Sequence, residues 1–319
     1  MINILANDGI SQAGVDDLTA KGFNIVTEHV AQEDLINTIN AENYEVLLVR
    51  SATTVRKDLI DACPHLKIIG RGGVGMDNID VNYAREKGIN VINTPAASSA
   101  SVAELVFAHL LSMTRFLSDS NRKMPLVGDT DFSELKKSYA KGQELAGQNL
   151  GIIGLGRIGK EVAKRAIGLG MNVMAHDTSI DEANITLKFF NGDKKSFTIE
   201  TESLEAVLSK SDFVTLHIPK IGNKAVIGAK EIGMMKTGAG IVNVARGGVI
   251  DETALMFALD KGKLAYAGLD VFENEPKPSI HLLMHNAISL TPHIGAATIE
   301  AQNRIGTELA EQIATHFNK

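Results

Sequence analysis

Short, unbroken apolar runs recur along this chain, and stretches with helical spacing separate them. The first series is INILA at 2–6, NIV at 24–26, EVLLV at 45–49, KIIG at 67–70 and INVIN at 89–93. A second begins with NLGIIG at 149–154 and continues through NVMAH (172–176), DFVTLH (212–217), GIVNV (240–244), LAYAGL (264–269) and a run at 288–290. A strand that is apolar at successive positions is buried on both faces, which is the condition inside a parallel sheet covered by helices. Segments such as 34–40 and 57–62 suit the covering helices. At 319 residues the chain exceeds what one core usually serves. The expectation is two α/β units: 1–97 joined by 296–319, and 98–295.

Between the two series, 98–118 reads as one long helix, apolar nearly all round (Val102, Leu105, Val106, Leu110, Leu111, Met113), placed between the units. The stretch 119–147 mixes Pro125, Gly128 and many charges and reads as a loop or dimer arm. The segment 296–317 reads as a helix returning to the first unit. Within the second series, 185–190 and 195–201 flank Asn191-Gly192-Asp193, which predicts a hairpin beside the second sheet. It would be a partner or lid surface, or simply a decorated loop.

Composition narrows the function classes. A net charge of −6 argues against a nucleic-acid surface, and no apolar run is long enough to span a bilayer. MINILANDGI has the look of a first strand and not of a signal peptide. The single cysteine, Cys63, cannot form an intrachain disulfide, which suits a reducing cytoplasm. It precedes Pro64 at a helix exit, where inert packing is a better reading than a nucleophile. No metal site is expected.

Gly154, Gly156 and Gly159 form G-x-G-x-x-G directly after a strand and at the start of a helix. The first permits a tight turn, the second lets a pyrophosphate approach the backbone, and the third allows close helix–strand packing. The helix N-terminus offers N–H groups to phosphates. Asp177 ends the next strand, 23 residues after Gly154, where a carboxylate accepts the ribose hydroxyls and repels a 2′-phosphate. Thr178 and Ser179 bring no cation, so NAD is expected over NADP.

Three polar groups lie just beyond strands of the second series: Arg246 in VNVARGG, Glu275 in GLDVFENEP and His293 in ISLTPHIGAA. Parallel sheets bind ligands at the carboxyl ends of their strands, so these segments can converge. Oxidising a hydroxyl to a carbonyl needs a base for the proton, and histidine titrates in the working range. A carboxylate on its other nitrogen fixes the tautomer, and an arginine grips a carboxylate through two parallel bonds. Singly, each has a plain alternative: a cap at His293, a structural ion pair at Arg246, a solvated turn at Glu275.

With these residues in hand, the chain resembles the D-2-hydroxyacid dehydrogenases, most closely their short-form D-3-phosphoglycerate dehydrogenases. The matching stretches are VRSATTV (49–55), GRGGVGMDNID (70–80), NTPAASSASVAEL (93–105), GLGRIGKEVAKRA (154–166), VNVARGGVIDE (242–252), GLDVFENEP (268–276) and TPHIGAAT (291–298). The resemblance places the family's catalytic arginine, glutamate and histidine on Arg246, Glu275 and His293, spaced 29 and 18 residues apart. It implies that Arg157 and Ile158 lie at the pyrophosphate, that Ile218, Val244 and Asp270 line the nicotinamide, and that Gly295 closes it with His293. It further implies two doubly wound, Rossmann- or flavodoxin-like parallel-sheet domains, the cofactor domain inserted into the substrate domain, and a homodimer.

Arg50-Ser51 and Arg71-Gly72-Gly73 each follow a strand of the first series and are expected to face an interdomain cleft. With Gly75 the glycines offer a backbone nest for a carboxylate. By resemblance, Arg50 and Arg71 stand at the substrate, and a phosphorylated hydroxyacid calls for such extra cations. Alternatively they bridge helix ends. The resemblance departs in the serine-sensing domain that commonly follows the catalytic unit, which is not expected here and puts serine feedback in doubt. The reading is oxidation of D-3-phosphoglycerate to 3-phosphohydroxypyruvate, the first step of serine synthesis. Its competitors are a glyoxylate or hydroxypyruvate reductase and an NAD-sensing, corepressor-like binding protein.

Overall fold

The computed structural model describes residues 1–222 and 224–318. Lys319, the last residue of the expected first domain, lies outside them. The chain divides into two compact units, Met1–Ser101 with Ala296–Lys319, and Val102–Gly295.

The first unit runs β1 (Asn3–Ala6), α1 (Gln12–Ala20), β2 (Asn24–Val26), α2 (Leu35–Ala41), β3 (Val46–Val49), α3 (Lys57–Ala62), β4 (Ile68–Arg71), α4 (Val81–Glu86) and β5 (Asn90–Asn93). Its sheet is parallel, in the order β2-β1-β3-β4-β5. The central strand β3 is buried at every position, whereas the edge strand β2 is not. That gradient is why the inner strands read as continuous apolar runs. Cys63 caps α3, fully buried, and burial pushes its thiol up to about 11, so it packs as an apolar group.

The chain then passes through α5 (Ser99–Thr114), α6 (Leu117–Val127) and α7 (Phe132–Ser138). Two expectations are corrected here. The single helix over 98–118 is broken: α5 and α6 bend by 54° at Arg115–Phe116, where Phe116 adopts φ 54°. Thr114 Oγ1 donates back to the Leu110 carbonyl, a bond that loosens the last turn. The expected loop at 119–147 is largely helical. Pro125 sits inside α6, but no residue of that helix is buried, so water can satisfy the carbonyl the ring leaves unbonded. Tyr139 donates to Asp119, which also pairs with Lys123, and this ties α7 to α6.

The second sheet follows from β6 (Asn149–Ile153), α8 (Arg157–Gly168), β7 (Asn172–His176), β8 (Glu182–Lys188), β9 (Lys194–Glu200), α9 (Leu204–Lys210), β10 (Phe213–Leu216), α10 (Ala229–Met234), β11 (Ala239–Asn243), α11 (Glu252–Asp260), β12 (Leu264–Leu269), α12 (Ile280–Leu283) and β13 (Ile288–Leu290). Its parallel order is β13-β12-β11-β10-β6-β7. The chain reverses direction of winding between β6 and β10, which places a crevice at their carboxyl ends.

The hairpin β8–β9 forms, three residues longer at its start than the sequence indicated, paired from Glu182↔Glu200 to Lys188↔Lys194. Its turn is not a two-residue Asn-Gly turn. Gly192 alone takes a positive φ (90°), and the Gly192 N–H donates to Phe189, giving a longer loop with a glycine bulge. The hairpin's inner face is core, with Ile185, Ala183 and Ile199 buried against Val173 and Leu187. A single parallel bridge, Ala175↔Thr201, joins its end to β7.

The last helix, α13 (Ile299–His316), belongs to the first unit and packs on α1. The helices meet at glycines: a Cβ on Gly14 would lie 2.8 Å from the Gly306 Cα. Ile305, Leu309 and Ile313 are buried there, each contributing on the order of 1.5–3 kcal/mol.

Candidate active site

The turn after β6 is built from glycines with distinct geometric duties. Gly154 sits at φ 98°, and a Cβ on it would lie 2.6 Å from the His217 carbonyl oxygen. Gly159 lies so close to the Gly154 carbonyl that no side chain fits. Gly156 differs: it caps α8 without a side-chain bond, and nothing stands within 4 Å of where its Cβ would be. The start of α8 is therefore uncapped and clear beside Gly156, as a pyrophosphate approaching its first-turn N–H groups requires. Arg157 is exposed and Ile158 half-buried on that first turn.

Asp177 follows β7 and is held in place by the backbone. Its Oδ2 accepts from the Leu155 N–H (2.7 Å) and its Oδ1 from Ser179 (2.8 Å) and Ile180 (3.2 Å). One carboxylate thus braces the glycine turn and keeps lone pairs for a diol. His217 lies behind that turn, half-buried, with its Nδ1 shut off from solvent; desolvation pushes its pKa down to about 3, so the ring is neutral. Its Nε2 contacts Thr215 Oγ1 at 3.0 Å, while Nδ1 is without a partner among the described residues. Ile218 is half-buried and Val244 buried at the ends of β10 and β11.

Glu275 and His293 meet. The imidazole Nδ1 lies 2.8 Å from Glu275 Oε2, and both side chains are more than one-third exposed or close to it, at 40% and 35%. Glu275 Oε1 accepts from the Phe272 N–H at 2.9 Å, which closes the turn onto its own carboxylate. A carboxylate on Nδ1 makes that nitrogen the N–H donor and leaves Nε2 with the lone pair. Among the described residues Nε2 of His293 has no hydrogen-bond partner.

Arg246 stands beside the same turn. Asn243 donates from Nδ2 to the Arg246 carbonyl (2.9 Å) and accepts from the Ala245 N–H (3.0 Å), fixing the bend. Gly247 packs so tightly on the Phe272 carbonyl that a Cβ has no room. Arg246 Nη1 donates to the Ala245 carbonyl at 2.6 Å. Farther along, Glu252 and Glu273 each accept the other's backbone N–H, and burial raises the Glu252 carboxyl above its usual range. Asn243 escaped the sequence reading; its only trace there is a polar residue within the apolar run GIVNV.

Asp270 serves the His293 loop. Its carboxylate, 1% exposed, accepts from Thr291 Oγ1 (2.6 Å), the Ile294 N–H (2.8 Å) and the Gly295 N–H (2.8 Å), and its carbonyl accepts the His293 N–H (2.8 Å). His293 is held at φ 55°, an uncommon conformation for a residue with a Cβ.

The remaining candidates belong to the first unit, at the carboxyl ends of β3 and β4. The Arg50 N–H donates to Asp8 and the Arg50 carbonyl accepts from Asn78. Among the described residues no carboxylate pairs with its guanidinium. Ser51 is exposed beside it. Arg71 folds back over Gly73 (φ 152°), with Nη1 donating to the Gly72 carbonyl at 3.1 Å. Among the described residues no cluster of three His, Cys, Asp or Glu side chains fits a metal ion, and no single helix is long and apolar enough to cross a membrane.

The family described as D-isomer specific 2-hydroxyacid dehydrogenase, NAD binding domain, matches residues 107–295, the stretch that carries both the glycine turn and the Glu275–His293 pair. The chain belongs to the D-isomer specific 2-hydroxyacid dehydrogenase family. Among relatives of this dehydrogenase, a hydroxypyruvate reductase from Thermotoga maritima is 42% identical over 295 residues, covering 91% of this chain and 90% of its own. A D-3-phosphoglycerate dehydrogenase from Methanocaldococcus jannaschii is 41% identical over 315 residues, which is 98% of this chain but 57% of that protein. This dehydrogenase thus spans about half the length of its phosphoglycerate relatives. A glyoxylate reductase from Paecilomyes thermophila superposes with a TM-score of 0.81 at 29% identity, covering 100% and 96% of the two chains. The cofactor is a nicotinamide dinucleotide, and the open turn at Gly156 fits it.

Proposed function

We propose that this dehydrogenase oxidises D-3-phosphoglycerate to 3-phosphohydroxypyruvate with NAD, the step that opens serine synthesis, with Arg246, Glu275 and His293 as its catalytic residues. The observation that carries the reading is the 2.8 Å contact between Glu275 and Nδ1 of His293, which leaves Nε2 to exchange a proton with the substrate oxygen. NAD supplies the hydride acceptor. In the oxidative direction Nε2 takes the hydroxyl proton, and in reverse it returns it. Glu275 holds the ring's tautomer and stabilises the imidazolium that forms. Arg246 binds the substrate carboxylate and polarises the carbonyl.

Preference for NAD rests on Asp177, whose carboxylate is fixed by three N–H donors where a 2′-phosphate would stand, with only Thr178 and Ser179 after it. Gly156, Arg157 and Ile158 take the pyrophosphate on the turn that Gly154 and Gly159 shape; Ile218, Val244, Asp270 and Gly295 take the nicotinamide side. In the first unit, Arg50, Ser51, Arg71, Gly72 and Gly73 receive the acid and its phosphate. The guanidinium of Arg50, without a carboxylate partner among the described residues, supports a substrate with charge beyond one carboxylate. Exposed Leu117, Met124, Leu126 and Phe132 on α6 and α7 support a homodimer, and a buried lone Cys63 suits the cytoplasm.

A reductase acting on hydroxypyruvate or glyoxylate is the second reading, favoured by the Thermotoga relative that matches along nearly its whole length. Rates of NADH oxidation with 3-phosphohydroxypyruvate, hydroxypyruvate and glyoxylate separate the two. The phosphorylated acid is expected to give the highest kcat/KM; a higher value for either unphosphorylated acid overturns the first reading. Absence of turnover with all three would turn attention to an NAD-sensing binding protein.

A further inference from the structure

One buried imidazole in the second unit is not used by the chemistry above. His109, on α5, is 2% exposed, and both of its ring nitrogens are bonded: Nδ1 lies 2.9 Å from Ser289 Oγ and Nε2 lies 3.1 Å from Thr291 Oγ1. Thr291 Oγ1 in turn lies 2.6 Å from Asp270 Oδ1. A carboxylate oxygen that already collects an N–H bond from Ile294 is an acceptor, so the Thr291 hydroxyl spends its one proton on Asp270. It is left able only to accept from His109, which therefore carries its proton on Nε2. Nδ1 then accepts, and the Ser289 hydroxyl donates. The direction of the whole chain, Ser289 to His109 to Thr291 to Asp270, follows from its last member.

That chain ends on the residue that builds the His293 loop. Asp270 holds Ile294 and Gly295 through its carboxylate and His293 through its carbonyl, at 2.8 Å each. The imidazole also has a place made for it: a Cβ on Gly268 of β12 would lie 2.8 Å from the His109 Cβ and 3.0 Å from its Cγ. We propose that His109 is a positioning residue for the reaction: its Nε2–H holds Thr291 and Asp270 in register and so sets the stance of His293 from helix α5. The inference rests on His293 being the acid–base group. Burial lowers the His109 pKa, against the pull of Asp270, and keeps the ring in the neutral form that the chain of bonds needs.

The polar side chains that can stand in for an imidazole divide its two roles. Glutamine reaches the Nε2 position with an N–H donor, whereas asparagine stops at the Nδ1 position and cannot reach Thr291. His109→Gln, His109→Asn, Thr291→Ser, Thr291→Val and His293→Ala are purified as full chains. For each, kcat, the NADH dissociation constant and the melting temperature are measured with whichever keto acid the wild type turns over best. The expected result for His109→Asn and Thr291→Val is a kcat lower by about tenfold, the scale of a sub-ångström misplacement, with NADH affinity within about twofold. His109→Gln and Thr291→Ser are expected to stay within about threefold of wild type in kcat. A merely structural role would lower the melting temperature of His109→Asn and Thr291→Val and leave kcat of the folded protein alone. That result, beside an inactive His293→Ala, overturns the positioning role. Should His109→Asn fail to fold, the Thr291 pair decides in the same way. Normal turnover by His293→Ala would instead remove the acid–base reading on which the inference stands.

Discussion

After β1 the chain turns through Asn7, Asp8 and Gly9; after β6 it turns through Gly154, Leu155 and Gly156. The two turns occupy equivalent places, since the sheets run β2-β1-β3 and β7-β6-β10 about them. In the first, the protein fills the crevice with its own side chains. Asp8 accepts from the Arg50 N–H (2.6 Å), the Thr53 N–H (3.1 Å) and the Thr53 hydroxyl (2.6 Å), Asn7 bridges Val30 and Thr53, and Ser11 caps α1. In the second, no side chain caps α8 and Gly156 looks onto open space. Topology supplies a crevice at both switch points, and the side chains decide which of them is left open for a dinucleotide. The same carboxylate chemistry is used in opposite senses: Asp8 closes its turn, while Asp177 braces the glycine turn from the side and leaves its mouth clear.

The contrast can be broken at either end. The largest effect is expected from closing the open turn. In Gly156→Asp the new side chain has room, so the fold should survive, but its charge meets the pyrophosphate. The NADH dissociation constant should rise about a hundredfold, or roughly 2.7 kcal/mol, by fluorescence titration. Unchanged affinity would mean the dinucleotide does not use this turn. Opening the closed turn should act on stability instead. Asp8→Ala leaves the Arg50 and Thr53 donors without their acceptor and should lower unfolding free energy by about 1–3 kcal/mol in urea, with NADH affinity intact.

The smallest effect sharpens the comparison through His217, the half-buried ring behind the open turn. Its folded pKa is depressed to about 3 from an ordinary 6.5. Below 6.5 the unfolded chain binds a proton that the folded ring refuses, so stability falls as pH drops through the window from 6.5 toward 3. The expected slope from this residue is roughly 1.4 kcal/mol per pH unit. Urea midpoints at pH 7 and pH 5 should differ less in His217→Asn than in wild type, with His109 keeping some of the slope because burial depresses it too. An unaltered slope in the variant would mean that the ring is not held neutral.

Much of this was readable from the residues because it is local. Inner strands such as β3 announce themselves by being apolar at each position, since both faces are buried. Other features depend on partners far away in sequence. Nothing at Arg115–Phe116 carries a glycine or proline, so the bend between α5 and α6 has no local mark. Pro125 and Gly128 suggested a loop where an exposed helix holds the proline and ends at the glycine. In the hairpin, the pattern gave the pairing, but the choice of loop lay with Phe189 and Gly192. The polar candidates of the site could be named from strand ends, yet the Glu275–His293 contact required the Phe272 turn to close first. His109 was invisible within an apolar helix pattern, because its partners Ser289 and Thr291 lie about β13, 180 residues away.

The sharpest single measurement is a single-turnover experiment with NADH-saturated His293→Ala, comparing its rate of cofactor oxidation by the preferred keto acid with that of wild type. Loss of about two to four orders of magnitude in rate at unchanged NADH affinity is expected if Nε2 delivers the proton. A wild-type rate from the variant would contradict that assignment outright.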